Sequence, residues 1–183
     1  MKKCFIDVET TGLDPEKHGV IQVAGIIEAS GREQTFSFNI KPFRSDLINR
    51  EALDVNKLTV TDLEKFEEPM KVYKELGNLF MTYVDRYSKK DKMFFIGYNA
   101  SFDYNFMRAF WKKAGDVYFG SFFWFPYIDV MTLAMKHIMK TRHEMPDFKL
   151  ATVARKFGIE VDENRQHEAL YDVSITKKLF EQF

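Results

Sequence analysis

Asp7 and Glu9 stand two residues apart in the short apolar run Cys4-Phe5-Ile6-Asp7-Val8-Glu9. In a strand, residues two apart share a face, so Phe5, Asp7 and Glu9 line one side and Cys4, Ile6 and Val8 the other. Two carboxylates side by side on a buried strand repel each other and lose hydration. A hard divalent cation with oxygen ligands is the simplest compensation. The plain alternative is an acidic pair at a strand end facing water. The residues that follow, Thr10-Thr11-Gly12-Leu13-Asp14, add two hydroxyls, a turn glycine and another acid. Such a strand-to-loop segment can hold a metal, hydrogen-bond a ligand and expose backbone N–H groups.

Two further segments carry similar groups. In Gly97-Tyr98-Asn99-Ala100-Ser101-Phe102-Asp103 a strand ends and a helix opens, with Asp103 in its first turn. A negative charge there also suits the positive end of any helix. In Arg165-Gln166-His167-Glu168-Ala169-Leu170-Tyr171-Asp172, His167 lies at a helix start and Asp172 within the helix. Ala169 and Thr176, three before and four after Asp172, leave room around a buried carboxylate.

These groups are far apart in sequence, so a fold must bring them together. Strands are expected at 4–9, 20–29 and 34–40, with Ser30-Gly31-Arg32 as a turn, which makes an antiparallel meander. Tyr73, Leu76, Phe80 and Tyr83/Val84 follow the helical period, so a helix is expected over 70–87, with Pro69 in its first turn. A short buried strand is expected at 93–97. Helices are expected at 101–113, stopped by Gly115; at 129–140, capped by Asp129; at 149–157, ended by Gly158; and at 168–183. Strands joined through helices after a meander point to one mixed sheet with helices packed on it.

The 183 residues fit a single domain, 1–183, able to bury roughly 70% of its unfolded surface. The 27 Lys and Arg balance the 27 Asp and Glu, which excludes a uniformly basic nucleic-acid coat and a polybasic membrane anchor. Cys4 is the single cysteine, so no intrachain disulfide can form and a reducing, cytoplasmic setting is expected. Asp7 and Glu9 interrupt the N-terminal apolar stretch too early for a signal peptide. No apolar run approaches the ~20 residues of a membrane span. Charge is uneven: residues 46–68 sum to −4 and residues 136–156 to +4. The basic stretch is either a solvated face or an electrostatic guide for an anionic ligand. Phenylalanine occurs 19 times, most densely in the stretch Phe119–Tyr127. Core packing is the favoured role of that stretch, with base stacking or protein contact as alternatives.

The order Asp-x-Glu-Thr-Thr-Gly-Leu, then Asn-Ala-x-Phe-Asp, then His-x-Ala-x-x-Asp resembles the DEDDh exonucleases. These are typified by the epsilon proofreading subunit of bacterial DNA polymerase III, with ribonuclease T and oligoribonuclease as relatives. The resemblance runs from Phe5 to Phe180 and includes the Ile128-Asp129 helix start and Lys149-Leu150…Phe157-Gly158-Ile159. It implies an α/β, ribonuclease H-like fold with a five-stranded mixed sheet flanked by helices. It implies that Asp7, Glu9, Asp103 and Asp172 are metal-binding carboxylates and that His167 is the general base. Thr10, Thr11, Gly12, Leu13 and Asn99 match the substrate-binding segments, Leu13 as a wedge against a base. Tyr98 stands where relatives commonly have His, and Gln22 where many carry Glu.

The implied activity is metal-dependent 3′–5′ hydrolysis of phosphodiesters, releasing nucleoside 5′-monophosphates. Two Mg²⁺ or Mn²⁺ ions ~3.5–4 Å apart would screen the phosphodiester, activate water and stabilise the leaving oxygen. His167, with an ordinary pKa of ~6.5, would take the water's proton. The implied partner is nucleic acid with a free 3′ end. Thr10-Thr11 resembles the epsilon type, which favours single-stranded DNA over RNA, with an exoribonuclease as the alternative. A catalytically silent nucleic-acid-binding module is the rival of another class, and it has no need of five such groups in register. A polymerase and self-association stand as candidate protein interactions. The sequence ends with the last motif helix, so the expectation is that the protein acts alone or meets a partner through its own surface. No membrane association is expected.

Overall fold

A computed structural model of the chain describes residues 1–165 and 168–183. Strand β1 (Lys2–Thr10) pairs antiparallel with β2 (Val20–Ala29), and β2 with β3 (Arg32–Asn39). On its other side β1 pairs parallel with β4 (Met93–Gly97), which pairs parallel with β5 (Phe123–Asp129). The sheet order is β3-β2-β1-β4-β5, so the strand bearing Asp7 and Glu9 is central. Ser30 and Gly31 both have positive φ, 52° and 74°, in a two-residue hairpin loop. Such a turn matches the strand twist, and Arg32 therefore opens β3 rather than belonging to the turn.

The alternation along β1 divides the core. Cys4, Ile6 and Val8 pack with helices α3 (Pro69–Tyr83) and α4 (Ala100–Lys113) on one face. Phe5 packs on the other face with α5 (Val130–Ile138), α6 (Leu150–Lys156) and α7 (Ala169–Phe180). Two short helices, α1 (Arg50–Val55) and α2 (Val60–Leu63), cover Ile21 near the end of the sheet. Among the described residues no helix is long and apolar enough to cross a membrane.

Four expectations are corrected. α3 ends at Tyr83, because Val84 turns extended and buries its side chain in the core. α5 ends at Ile138 and continues as a 3₁₀ helix, Met139–Glu144. α7 spans Ala169–Phe180, with a turn beyond it. The fifth strand, β5, begins inside the aromatic stretch and runs on to Asp129, and no alternation marks it. Pro126 is tolerated there because β5 is an edge strand.

The aromatic stretch is core in its first half. Phe119, Phe122 and Phe123 are buried, whereas Phe125 is 79% exposed. Phe80 on α3 is a hub, with ring contacts to Phe36, Trp111, Phe122 and Phe123. Phe95 on β4 meets Tyr104, Phe119 and Phe123. Aromatic pairs add ~0.5–1.5 kcal/mol each beyond burial, so this network holds α4 firmly against the sheet.

Candidate active site

β1 runs on past the end of β4, since Phe5 pairs with Ile96 and β4 stops at Gly97. The first turn of α4 fills the gap. Asp103 is 3% exposed there, and its Oδ1 accepts the backbone N–H of Val8 at 3.1 Å. A buried N–H left without a partner would be costly, so the strand edge demands such an acceptor. Asp7 and Glu9 alternate with Val8, on the face that α7 covers, and Asp172 lies in the first turn of α7. A bulge between Glu9/Thr10 and Gln22/Val20 bends the strand end beside them.

The four acids act on one another. The Asp7 carboxyl is held well above the usual carboxylate range, first by burial and then by Asp103, Glu9 and Asp172. Glu9 is pushed up to about 8, by burial, Asp172 and Asp103. Asp103 is pushed up to about 7 by burial, against the Val8 N–H and its own N–H, with Asp129 adding to the rise. No Lys or Arg among the described residues offsets Asp7 or Glu9. The donor set is all hard oxygen, and its charge calls for a cation, which fits a divalent ion of the Mg²⁺ or Mn²⁺ class. Among the described residues no three Asp, Glu, His or Cys groups stand in ready ligating geometry.

The loop after β1 is tied down by its own hydroxyls. Thr10 Oγ1 donates to the Gly12 carbonyl at 2.7 Å. Thr11 Oγ1 donates to the Leu47 carbonyl at 2.6 Å and accepts the Gly19 N–H at 2.9 Å. Both side chains are buried, so they shape the loop from within. A Cβ on Gly12 would lie 2.3 Å from His18 Cδ2, so only glycine admits the imidazole. His18 Nδ1 in turn accepts the Asp14 N–H at 3.1 Å. Leu13 is left 83% exposed at the loop tip, free to meet a ligand.

Asn99 precedes α4 in the left-handed conformation, φ 59° and ψ 45°. Asparagine tolerates this region better than most residues. Its N–H donates to Asp129 Oδ1 at 2.9 Å, and its carbonyl accepts the Phe102 N–H. Its side chain is exposed. Tyr98 O–H donates to the Phe148 carbonyl at 2.7 Å, tying β4 to the segment before α6. His167 lies outside the described residues.

Three residues of the site carry roles that local sequence did not reveal. Gln22 sits directly opposite Glu9, donates to Asn39 Oδ1 at 2.9 Å and accepts the Ala169 N–H at 3.4 Å. It thus holds the start of the helix that carries Asp172. Asp129 caps α5, as its sequence position suggests, and also pins Asn99 across the β4–β5 edge. Asn56 Nδ2 reaches the Thr10 carbonyl at 3.4 Å. A cavity of about 410 Å³ opens beside Glu9, lined by Gln22, Asn39, Asn56, Leu58 and Leu170 among others. The basic stretch is partly neutralised within the fold, by Arg155–Glu163 and Lys156–Glu144 pairs.

The chain is 26% identical over 187 residues to ribonuclease T of Buchnera aphidicola subsp. Baizongia pistaciae, covering 96% of this chain and 80% of that one. It is 31% identical over 181 residues to the PolC-type DNA polymerase III of Thermotoga maritima, covering 97% of this chain but 11% of the polymerase. Its fold superimposes on E. coli exonuclease I in complex with a dT13 oligonucleotide with a TM-score of 0.78 at 21% identity. That match covers 99% of this chain, which spans 40% of exonuclease I. A zinc-bound form of the exonuclease I–ssDNA complex matches with a TM-score of 0.75. Dependence on divalent metal is general to such exonucleases. The family model described as exonuclease (RNase_T) matches residues 4–180, nearly the whole chain and every acid of the cluster, and the chain therefore belongs to the exonuclease family.

Proposed function

We propose that the protein is a divalent-metal-dependent 3′–5′ exonuclease that removes nucleoside 5′-monophosphates from single strands, DNA in preference to RNA. The observation that carries this reading is the Val8 N–H to Asp103 bond of 3.1 Å, which sets Asp103 beside Asp7 and Glu9 at one end of the central strand, next to the helix that bears Asp172. These four carboxylates would hold two ions, Mg²⁺ or Mn²⁺. When bound, such ions screen the phosphodiester charge, activate a water and stabilise the leaving 3′ oxygen. The chain's own residues supply position. The Val8 N–H orients Asp103, and the Gln22 amide anchors the helix of Asp172. Leu13 wedges against the terminal base from its exposed loop, and Thr10, Thr11 and Gly12 set that loop's shape. Asn99 contacts the strand at the head of α4. The cavity beside Glu9 receives the terminal nucleotide. His167 takes the proton of the attacking water.

RNA 3′ ends are the second reading, favoured by similarity that covers 80% of ribonuclease T. The PolC-type relative makes a polymerase the candidate protein partner, beside self-association. The proposed compartment is the cytoplasm, in keeping with one buried thiol at Cys4. The test is a time course on matched 5′-labelled DNA and RNA strands with Mg²⁺ or Mn²⁺, with product analysis. Stepwise 3′ shortening, faster on DNA, and 5′-monophosphate products are expected. Internal cuts or 3′-monophosphate products would overturn the reading.

A further inference from the structure

The outer face of α4 carries a polar stripe that leads away from the site. Ser101, Asn105, Arg108 and Lys112 recur at helical spacing, and the last three are exposed. A groove of about 290 Å³ lies along this stripe. Asn105, Arg108 and Lys112 form one wall, and Pro15 and Glu16 form the other. Both walls belong to elements that reach the candidate active site. α4 has Asn99 at its N-cap and, in its first turn on the side opposite the stripe, the buried Asp103, while Pro15 stands two residues beyond Leu13. Among the described residues Arg108 has no ion-pair partner, while Lys112 Nζ bonds Glu16 Oε2 at 2.8 Å across the groove.

The dimensions suit a nucleic-acid strand. Nine residues separate Asp103 from Lys112, roughly 13 Å at the helical rise. That equals about four nucleotides at a stacked spacing of ~3.4 Å. A guanidinium offers a planar fork to phosphate oxygens, and an ammonium a point charge. Asn105 adds an amide donor between the site and Arg108. Glu16 opposes an anion in the same groove and holds Lys112 back from it.

We infer that this groove binds the phosphate backbone of a single strand on the 5′ side of the bond to be cut, with Arg108 as the main contact and Lys112 exchanging Glu16 for phosphate. The inference rests on the exonuclease reading, because that reading fixes which end of the strand enters the site. It makes affinity depend on strand length up to about four nucleotides beyond the site. It also gives the three charged side chains effects of opposite sign.

The experiment is fluorescence-anisotropy titration of labelled oligothymidylates, a dimer and a 12-mer, with Ca²⁺ in place of Mg²⁺. Arg108→Ala is expected to weaken 12-mer binding about tenfold and the dimer far less, and to reduce the slope of log K on log salt by ~0.7. Arg108→Lys should recover part of the loss. Glu16→Gln should tighten the 12-mer, since it removes the opposing charge and releases Lys112. Lys90→Ala, an exposed cation elsewhere, should change neither length. Equal loss on both lengths with Arg108→Ala, no loss on either, or weaker binding with Glu16→Gln would overturn the groove assignment. If length-dependent binding behaves as expected but the wild-type protein shortens no strand with Mg²⁺, the exonuclease reading falls and the groove stands.

Discussion

Val8 and Asp103, 95 residues apart in the chain, are joined by a hydrogen bond of 3.1 Å from backbone N–H to carboxylate Oδ1. The bond seats the first turn of α4 on the open edge of β1, between the strand positions of Asp7 and Glu9. It also stabilises the charged form of Asp103 against the burial that raises its pKa. A single strand end is thereby both a structural joint and the frame of the acidic cluster.

Asp103→Asn keeps an oxygen able to accept the Val8 N–H while removing the charge. Turnover is expected to fall on the order of 10³-fold or more. The melting temperature in EDTA at pH 8 is expected to rise, because a buried like charge has gone. Steady-state kinetics and thermal melts check both. A variant that loses activity and stability together would mark Asp103 as structural only.

The metal-free protein should lose stability as pH rises. Glu9 moves from an ordinary 4.5 to about 8, and Asp103 from 3.8 to about 7, so the fold holds protons that the unfolded chain has released. Their contribution is complete below the unfolded values and is lost progressively as pH rises from there to the folded values of about 7 and about 8. Each group removes at most about 1.4 kcal/mol per pH unit in that window. Melts in EDTA at pH 5.5, 6.5 and 7.5 should show a falling midpoint, and Mg²⁺ should flatten the trend. A midpoint rising with pH in EDTA would contradict the coupling.

Gly12→Ala drives a methyl into His18, 2.3 Å from Cδ2. The imidazole must leave its place on the loop, at a cost of about 1–3 kcal/mol. KM should rise more than kcat falls, since the loop presents Leu13. Adding His18→Ala removes the clash and should restore most of the lost stability. A double-mutant cycle with no coupling between the two positions would refute this packing.

Asp129→Ala removes the acceptor of two backbone N–H groups, Asn99 at 2.9 Å and Met131 at 3.1 Å. The helix cap alone is worth ~1 kcal/mol. Freed from Asp129, Asn99 no longer fixes the start of α4, so kcat should drop about 10–100-fold, as for other supporting residues behind metal ligands. Asp129→Asn retains an acceptor oxygen and should rescue most of both losses. Equal damage from the two variants would point to the charge rather than the hydrogen bond.

The sequence made the centre of the fold legible because its local signals agree there. Val20–Ala29 and Met93–Gly97 match their strands residue for residue, and Asp129 caps its helix. Spacing marked Asp7 and Glu9 as one face of a strand, but only the resemblance joined them to Asp103 and Asp172, which lie in the first turns of two distant helices. β5 was not legible, since a run of aromatics with Pro126 shows neither period. α1 and α2 are too short for periodicity, and their caps, Asn49 and Thr59, are the only local marks. The inward turn of Thr10 and Thr11 depends on Leu47 and Gly19, which the local pattern does not name. Gln22 and Asp129 act through partners 147 and 30 residues away, so only the assembled sheet shows what they hold.

The most direct measurement is a gel time course on a 5′-labelled single strand with wild-type protein and Asp7→Asn, first in EDTA and then with Mg²⁺ or Mn²⁺ added. No shortening in EDTA, a ladder descending one nucleotide at a time after metal addition, and no ladder from Asp7→Asn are the expected results. A ladder in EDTA, or one of equal rate from Asp7→Asn, would contradict a carboxylate-held metal site as the seat of the reaction.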